Sequence, residues 1–324
     1  MGTQFTITLY AWEESQARKA AEAAFAKVAA LDRMMTDYDP ESELMQLCRQ
    51  PHGTPVRVST ELFDVLERSQ RLARQSDGAF DVTVGPVVRL WRRARRAGEL
   101  PPADALARAR EAIGWQKLAL AAREQTVTLT APGMQLDLGG IAKGYAADKA
   151  LKVLKGRGVA RALVAASGDI AIGDPPPGER GWRVSVGAPV SSPVQADGNS
   201  RRAKPEAAAP IASTLLLRNA AVSTSGDLEQ FVEIEGRRYS HIVDPRTGIG
   251  LTNRLQVTVV ARRATDTDSF ATAVSVLGVE HGLRLVEAQP GMAVCIQQPQ
   301  DGRIEVHESR RFRRMTRVIL ALPQ

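Results

Sequence analysis

The chain has 324 residues, 44% hydrophobic and 24% charged, which is ordinary for a folded globular protein with a sizeable core. It carries a formal net charge of +7, yet only 5% of its residues are aromatic, too few to interleave with its basic clusters as a nucleic-acid surface requires. No apolar run of about 18 residues occurs, and two distant cysteines, Cys48 and Cys295, offer neither a metal spacing nor a disulfide framework and read as idle thiols.

In chain order, Gln4 to Tyr10 alternates as a strand, and Glu14 to Thr36 follows as a helix with Ala21, Ala24, Phe25, Val28 and Leu31 on one side. Asp37-Tyr38-Asp39-Pro40-Glu41-Ser42 is a turn before a short helix. A helix from Thr60 to Ser76, with Thr60 as N-cap, leads to the turn Asp77-Gly78-Ala79-Phe80-Asp81. The basic cluster Arg92, Arg93, Arg95 and Arg96 reads as a solvated helix face beside Trp91. Strands are expected at Thr126 to Thr130, Gln135 to Leu138 and Ala162 to Ala166, with a helix from Gly144 to Lys155. Gly187 to Pro210 is rich in Pro, Ala, Ser and Gly without periodicity, a flexible surface insertion. Beyond it come strands at Phe231 to Glu235, Arg238 to Val243 and Leu255 to Ala261, then a helix from Asp268 to Leu277 closed by Gly278. Strands and helices mix without regular alternation, so the class is α+β.

Four segments carry candidate chemistry. Leu138-Gly139-Gly140-Ile141-Ala142-Lys143-Gly144 runs from a strand into a helix N-terminus, which suits a diphosphate but also an ordinary tight turn. Asp268 and Thr272 lie four apart, so a helix puts a carboxylate and a hydroxyl on one face. That pair suits Mg²⁺, though a helix-terminal Asp beside an exposed Thr has the same spacing. His241 sits near a strand end before the turn Asp244-Pro245-Arg246-Thr247-Gly248, where it is either a general base or structural. Ala79-Phe80-Asp81-Val82-Thr83 either lines a ring pocket or enters a core strand.

Taken in order, these blocks, together with Met1-Gly2-Thr3, Ser167-Gly168-Asp169 and Thr224-Ser225-Gly226-Asp227, resemble the ApbE family of FAD:protein FMN transferases. The resemblance implies a two-lobed α+β fold, one domain over residues 1–324, with FAD in the cleft between lobes. By analogy Met1, Ala79, Phe80, Asp81, Gly139, Lys143, Tyr145, His241 and Ile242 line the FAD site. Asp268, Thr272 and backbone oxygens near Ala142 and Ala271 hold Mg²⁺, and His241 is the catalytic base. The implied reaction moves FMN from FAD to a Thr or Ser hydroxyl of an acceptor flavoprotein with a [Ser/Thr]-Gly-Ala-[Ser/Thr] pattern, releasing AMP. A Mg²⁺-dependent FAD pyrophosphatase and a non-catalytic FAD-binding protein are the alternatives. Two departures stand out: Cys48 where Asn is common, and Ser167 where Gly is usual. No signal peptide opens the chain. The expectation is therefore a cytoplasmic protein, or, if an export segment was removed, a periplasmic or inner-membrane-attached one.

Overall fold

A computed structural model describes residues 2–186, 211–226, 231–300 and 303–320. Met1, Asp227 and the 187–210 insertion lie outside the described residues.

The first third of the chain is mostly helical. Strand β1 (Phe5–Leu9) precedes α1 (Glu14–Met35), whose buried Ala20, Ala24, Val28, Leu31 and Met35 recur every three or four residues along one stripe. Then follow α2 (Glu43–Cys48), β2 (Val56–Arg57) and α3 (Thr60–Gln75). Ser59, rather than Thr60, caps α3, its hydroxyl accepting the Leu62 N–H at 3.3 Å. Helix α4 (Gly85–Ala97) starts with Pro86 in its first turn and ends on Gly98 at φ 73°, a left-handed stop. Helix α5 (Ala103–Glu111) and strands β3 (Leu118–Ala121) and β4 (Thr126–Leu129) complete this part.

After α6 (Ala142–Gly156), strands dominate: β5 (Ala162–Ala166), β6 (Asp169–Ile172), β7 (Trp182–Val186), β8 (Ser213–Leu217) and β9 (Ala221–Gly226). Two small hairpins follow, β10 (Phe231–Ile234) with β11 (Arg237–Ser240), and β12 (Val243–Asp244) with β13 (Ile249–Gly250). The chain then runs through β14 (Gln256–Ala261), α7 (Ala264–Glu287), β15 (Ala293–Gln300), β16 (Arg303–Glu308) and α8 (Arg310–Leu320).

Seven strands form one sheet in the order β1-β5-β6-β9-β14-β15-β16, every neighbouring pair antiparallel. Helices α6 and α7 cover one face, with α1 packed on α6. The β7–β8 hairpin and α8 cover the other, around Trp182, Leu215 and Phe312. Because both faces are covered, every residue of β14 is buried and its sequence reads as nearly continuous apolar rather than alternating. The small β2-β4-β3 sheet and α3 extend the core on the helical side. Helix α4 forms a separate cluster with the β10–β11 hairpin through Trp91 and Tyr239, whose rings lie 5.0 Å apart. The α+β class is therefore the observed one.

Further expectations change. Gln135 to Leu138 is no strand; its one ladder contact is an isolated parallel bridge from Gln135 to Val84. Helix α6 begins at Ala142, two residues early. Helix α7 begins at Ala264 and passes Gly278, where φ 77° and ψ −174° make a kink rather than an end. Its start has no cap of its own. Instead Asp148 on α6 accepts the Ala264 N–H at 2.8 Å, the Thr265 N–H at 2.9 Å and the Thr265 hydroxyl at 2.6 Å. A cap supplied by another helix leaves no local signal, so the helix begins four residues before the expected Asp268.

Candidate active site

One cavity of about 490 Å³ opens where the glycine turn, the 79–84 turn, the ends of β6 and β9 and the 241–245 turn converge. That volume lies in the range of about 300–1,000 Å³ that small-molecule and cofactor sites occupy.

At its floor lies a compact charged centre. Lys143, in the first turn of α6, places Nζ 2.9 Å from Asp169 Oδ2 and 3.1 Å from Asp268 Oδ1. Both carboxylates are buried, 6% and 5% exposed at their side chains, so water screens this triad poorly. Burial alone would lower the lysine's pKa, but the two carboxylates outweigh it and hold it above its ordinary value. Burial, joined by the neighbouring Asp169 charge, pushes the Asp268 carboxyl up to about 6, against the pull of Lys143. Asp268 Oδ2 also accepts the Gly144 N–H at 3.0 Å.

The turn above is shaped for close approach. A Cβ at Gly140 would sit 3.0 Å from Thr272 Oγ1 and 3.3 Å from the Phe80 ring. The backbone of the glycine turn therefore lines the cavity with little side chain between, while in the first turn of α6 the Ala142 N–H donates to the Leu138 carbonyl at 2.9 Å. Asp268, Asp169 and Thr272 offer only oxygen, the donor type for a hard cation, and an ammonium already stands between the two carboxylates. Among the described residues, no three His, Cys, Asp or Glu side chains gather to hold a metal. A cation here would therefore draw further ligands from backbone, water or a bound phosphate, as Mg²⁺ commonly does.

A second charged group lines the same cavity. Arg92 on α4 pairs with Asp37 and, at 2.8 Å, with Asp137, while its guanidinium lies 4.6 Å from the centre of the Tyr38 ring. Asp137 Oδ1 accepts the Gly139 N–H at 2.8 Å, so this network reaches the glycine turn. Burial raises the Asp137 pKa even with Arg92 beside it. The expected solvated face of Arg92, Arg93, Arg95 and Arg96 is thus only half right. Val88, Arg92 and Arg95 form an i, i+4, i+7 stripe along the cavity wall, and Arg93 and Arg96 are exposed.

Of the residues singled out from sequence, Ala79, Phe80, Asp81, Gly139, Ala142, Lys143, His241, Ile242, Asp268 and Thr272 line the cavity together. Asp81 also has a local task, since its Oδ1 accepts the Thr83 N–H and hydroxyl at 2.8 and 2.7 Å. His241 lies just past β11, whose last residue is Ser240. Two placements differ from expectation. Tyr145 points into the core, 1% exposed, and donates to Asp64 at 3.1 Å, away from the cavity. The helical period from Lys143 explains it, because two residues on is the far side of the helix. Ala271 likewise is buried off the cavity, and its carbonyl accepts the Ser275 hydroxyl at 2.9 Å. Lys143 lines the cavity as expected, and reaches two carboxylates as well as the Gly139 carbonyl, at 3.3 Å. Asp169, Arg92 and Asp37 line the cavity beyond the residues expected there, and for Arg92 the α4 stripe is the sequence signal.

Ser167 takes φ 55°, a left-handed conformation that favours glycine, at the β5–β6 turn beside the cavity. Cys48 is half-buried and its sulfur accepts the Leu136 N–H at 3.3 Å, and burial raises the thiol pKa of both cysteines. Neither forms a disulfide in this structure.

A family model described as the ApbE family matches residues 1–296. An FAD:protein FMN transferase of Treponema pallidum is 32% identical over 307 residues, covering 90% of this chain and 81% of the relative. One from Klebsiella pneumoniae is 31% identical over 285 residues, covering 87% and 82%. Among solved structures, the apo flavinyl transferase ApbE of Pseudomonas stutzeri superposes with a TM-score of 0.82 at 27% identity, over 98% of this chain and 94% of that one. The flavin transferase ApbE of Vibrio cholerae gives 0.80 at 26%, over 97% and 96%. The chain therefore belongs to the ApbE family and is a transferase.

Proposed function

We propose that this enzyme transfers the FMN half of FAD, with Mg²⁺, to a Thr or Ser hydroxyl of an acceptor flavoprotein and releases AMP. The observation that carries the reading is a convergence. Two buried carboxylates, Lys143 and the glycine turn that opens α6 line one cavity that His241 also lines. The named activity of relatives covering most of the chain supports the same choice.

Asp268, Thr272 and the Ala142 backbone would hold the Mg²⁺, and Asp169 stands within reach of the same centre. When bound, the ion would neutralise diphosphate charge and polarise the bond that breaks. Lys143 and the positive end of the α6 dipole add fixed positive charge on the same side. Phe80 and Ile242 present apolar surface to a ring system, and Arg92 holds the Asp37–Tyr38 turn at the cavity wall. The acceptor oxygen forms a bond to the FMN-side phosphorus as that phosphorus parts from the bridging oxygen, which leaves with AMP. His241 takes the hydroxyl proton. An acceptor carrying the [Ser/Thr]-Gly-Ala-[Ser/Thr] pattern supplies that hydroxyl.

Mass spectrometry of an acceptor peptide with this pattern, after incubation with FAD and MgCl₂, tests the reading. An FMN phosphoester on Thr or Ser is the expected product. Rapid multiple-turnover release of free FMN and AMP with an unmodified peptide would replace it with FAD hydrolysis.

A further inference from the structure

We infer that Asp169 is a positioning residue that parks Lys143, so that Asp268 is released to a divalent cation; this rests on the Mg²⁺ reading above. Asp169 opens β6, where the β5–β6 turn brings the chain back against β9. It is 4% exposed, and its side chain meets the Lys143 ammonium at 2.9 Å. The ammonium thus stands between two carboxylates contributed by elements far apart in sequence, β6 and α7.

A buried ammonium needs one carboxylate to stay ionised, yet here it has two. The second is what makes the arrangement exchangeable. A cation that takes Asp268 oxygen must share that carboxylate with an ammonium 3.1 Å away, and like charges at that distance repel strongly in a buried site. With Asp169 present, Lys143 gives up its Asp268 contact and keeps a full counter-charge. Without it, the lysine's only remaining carboxylate is the one the cation needs. Lys143 Nζ also lies 3.3 Å from the Gly139 carbonyl, so the parked ammonium stays beside the glycine turn, where an anionic ligand group would meet it.

The alternative is that Asp169 merely adds negative charge or acts as a ligand. The two differ in how Asp169 and Lys143 combine. Titration of the full chain with MgCl₂ alone, followed by calorimetry, reads the cation affinity without turnover. Asp169→Asn is expected to weaken Mg²⁺ binding about tenfold, the value of one charge-assisted contact. In a chain that also carries Lys143→Gln, which removes the charge and keeps a hydrogen-bond donor, the same Asp169→Asn change is expected to matter less than twofold. Equal losses in both backgrounds overturn the parking role and leave Asp169 as a plain charge or ligand. Asp268→Asn is the control on the underlying reading: if it leaves Mg²⁺ affinity intact, the metal assignment falls and the parking role with it. Should the paired variant fail to fold, lysine side-chain NMR on the wild-type chain decides. The Lys143 ammonium signal should shift on adding MgCl₂ while remaining protected from exchange; a signal unmoved at saturation overturns the proposal.

Discussion

The backbone N–H of Gly144 donates to Asp268 Oδ2 at 3.0 Å, joining the first turn of α6 to the second turn of α7 at the charged centre. The contact exists because the helices cross there almost backbone to backbone. A Cβ on Gly144 would fall on the Ala264 carbonyl oxygen and lie 2.8 Å from the Asp268 Cβ.

Gly144→Ala is therefore expected to be costly although it is a favourable helix substitution on propensity alone. Propensity would add about 1 kcal/mol of stability, whereas overpacking a rigid crossing costs about 3 kcal/mol. Urea unfolding should show the net loss. A variant as stable as the parent would mean that α6 and α7 can separate at no cost, and that the Asp268 position is not fixed by this crossing.

Asp148→Ala should also destabilise, by about 2 kcal/mol, the upper range for loss of a helix cap. The three donors it leaves at Ala264 and Thr265 are buried, so they lose partners rather than regaining water. Thermal unfolding would measure it. Asp148→Asn keeps an acceptor and should lose less; equal losses would assign the effect to charge, not to capping.

How much of this was legible in sequence depended on where each partner came from. The glycine turn, the Asp268–Thr272 pair and β5 were readable because their signals are local, a spacing or an alternation within ten residues. The start of α7 was not, because its cap is Asp148, more than a hundred residues earlier. The Asp37–Arg92–Asp137 network and the Lys143–Asp169 pair were hidden for the same reason: each joins charges from separate elements. Tyr145 points away from the cavity although Lys143 lines it, because residues two apart on a helix lie on nearly opposite sides.

His241→Ala is expected to lower the single-turnover rate of FMN transfer by about 10²–10⁴-fold, the usual share of a general base. FAD affinity should change far less, since in the proposed role the group would act on the acceptor proton rather than on the bound dinucleotide. Stopped-flow transfer at saturating FAD, beside equilibrium FAD binding, separates the two. Normal transfer at saturation would reduce His241 to a wall of the cavity.

The last expectation concerns Asp268 and pH. Its carboxyl stands at about 6 in the folded, cation-free chain, against a reference of 3.8, chiefly through burial and then through Asp169. Between those values the folded state holds a proton that the unfolded state has released. Stability contributed by this group is thus present at low pH and is lost as pH rises through the window, with each unit of difference worth about 1.4 kcal/mol. Other buried carboxyls, Asp137 and Asp148 among them, are raised as well, so the wild-type profile alone does not isolate Asp268. The difference between wild type and Asp268→Asn does: in the variant, the loss of stability on going from about pH 5 to about pH 7 should be smaller, because one titrating group is gone. A bound cation should invert the picture, because it competes with the proton for the same oxygens. MgCl₂ is then expected to raise the melting temperature clearly at about pH 7.5 and little at about pH 5, and to do neither in Asp268→Asn. Equal stabilisation at both pH values, or stabilisation that survives in the variant, would place the cation elsewhere than on this carboxylate.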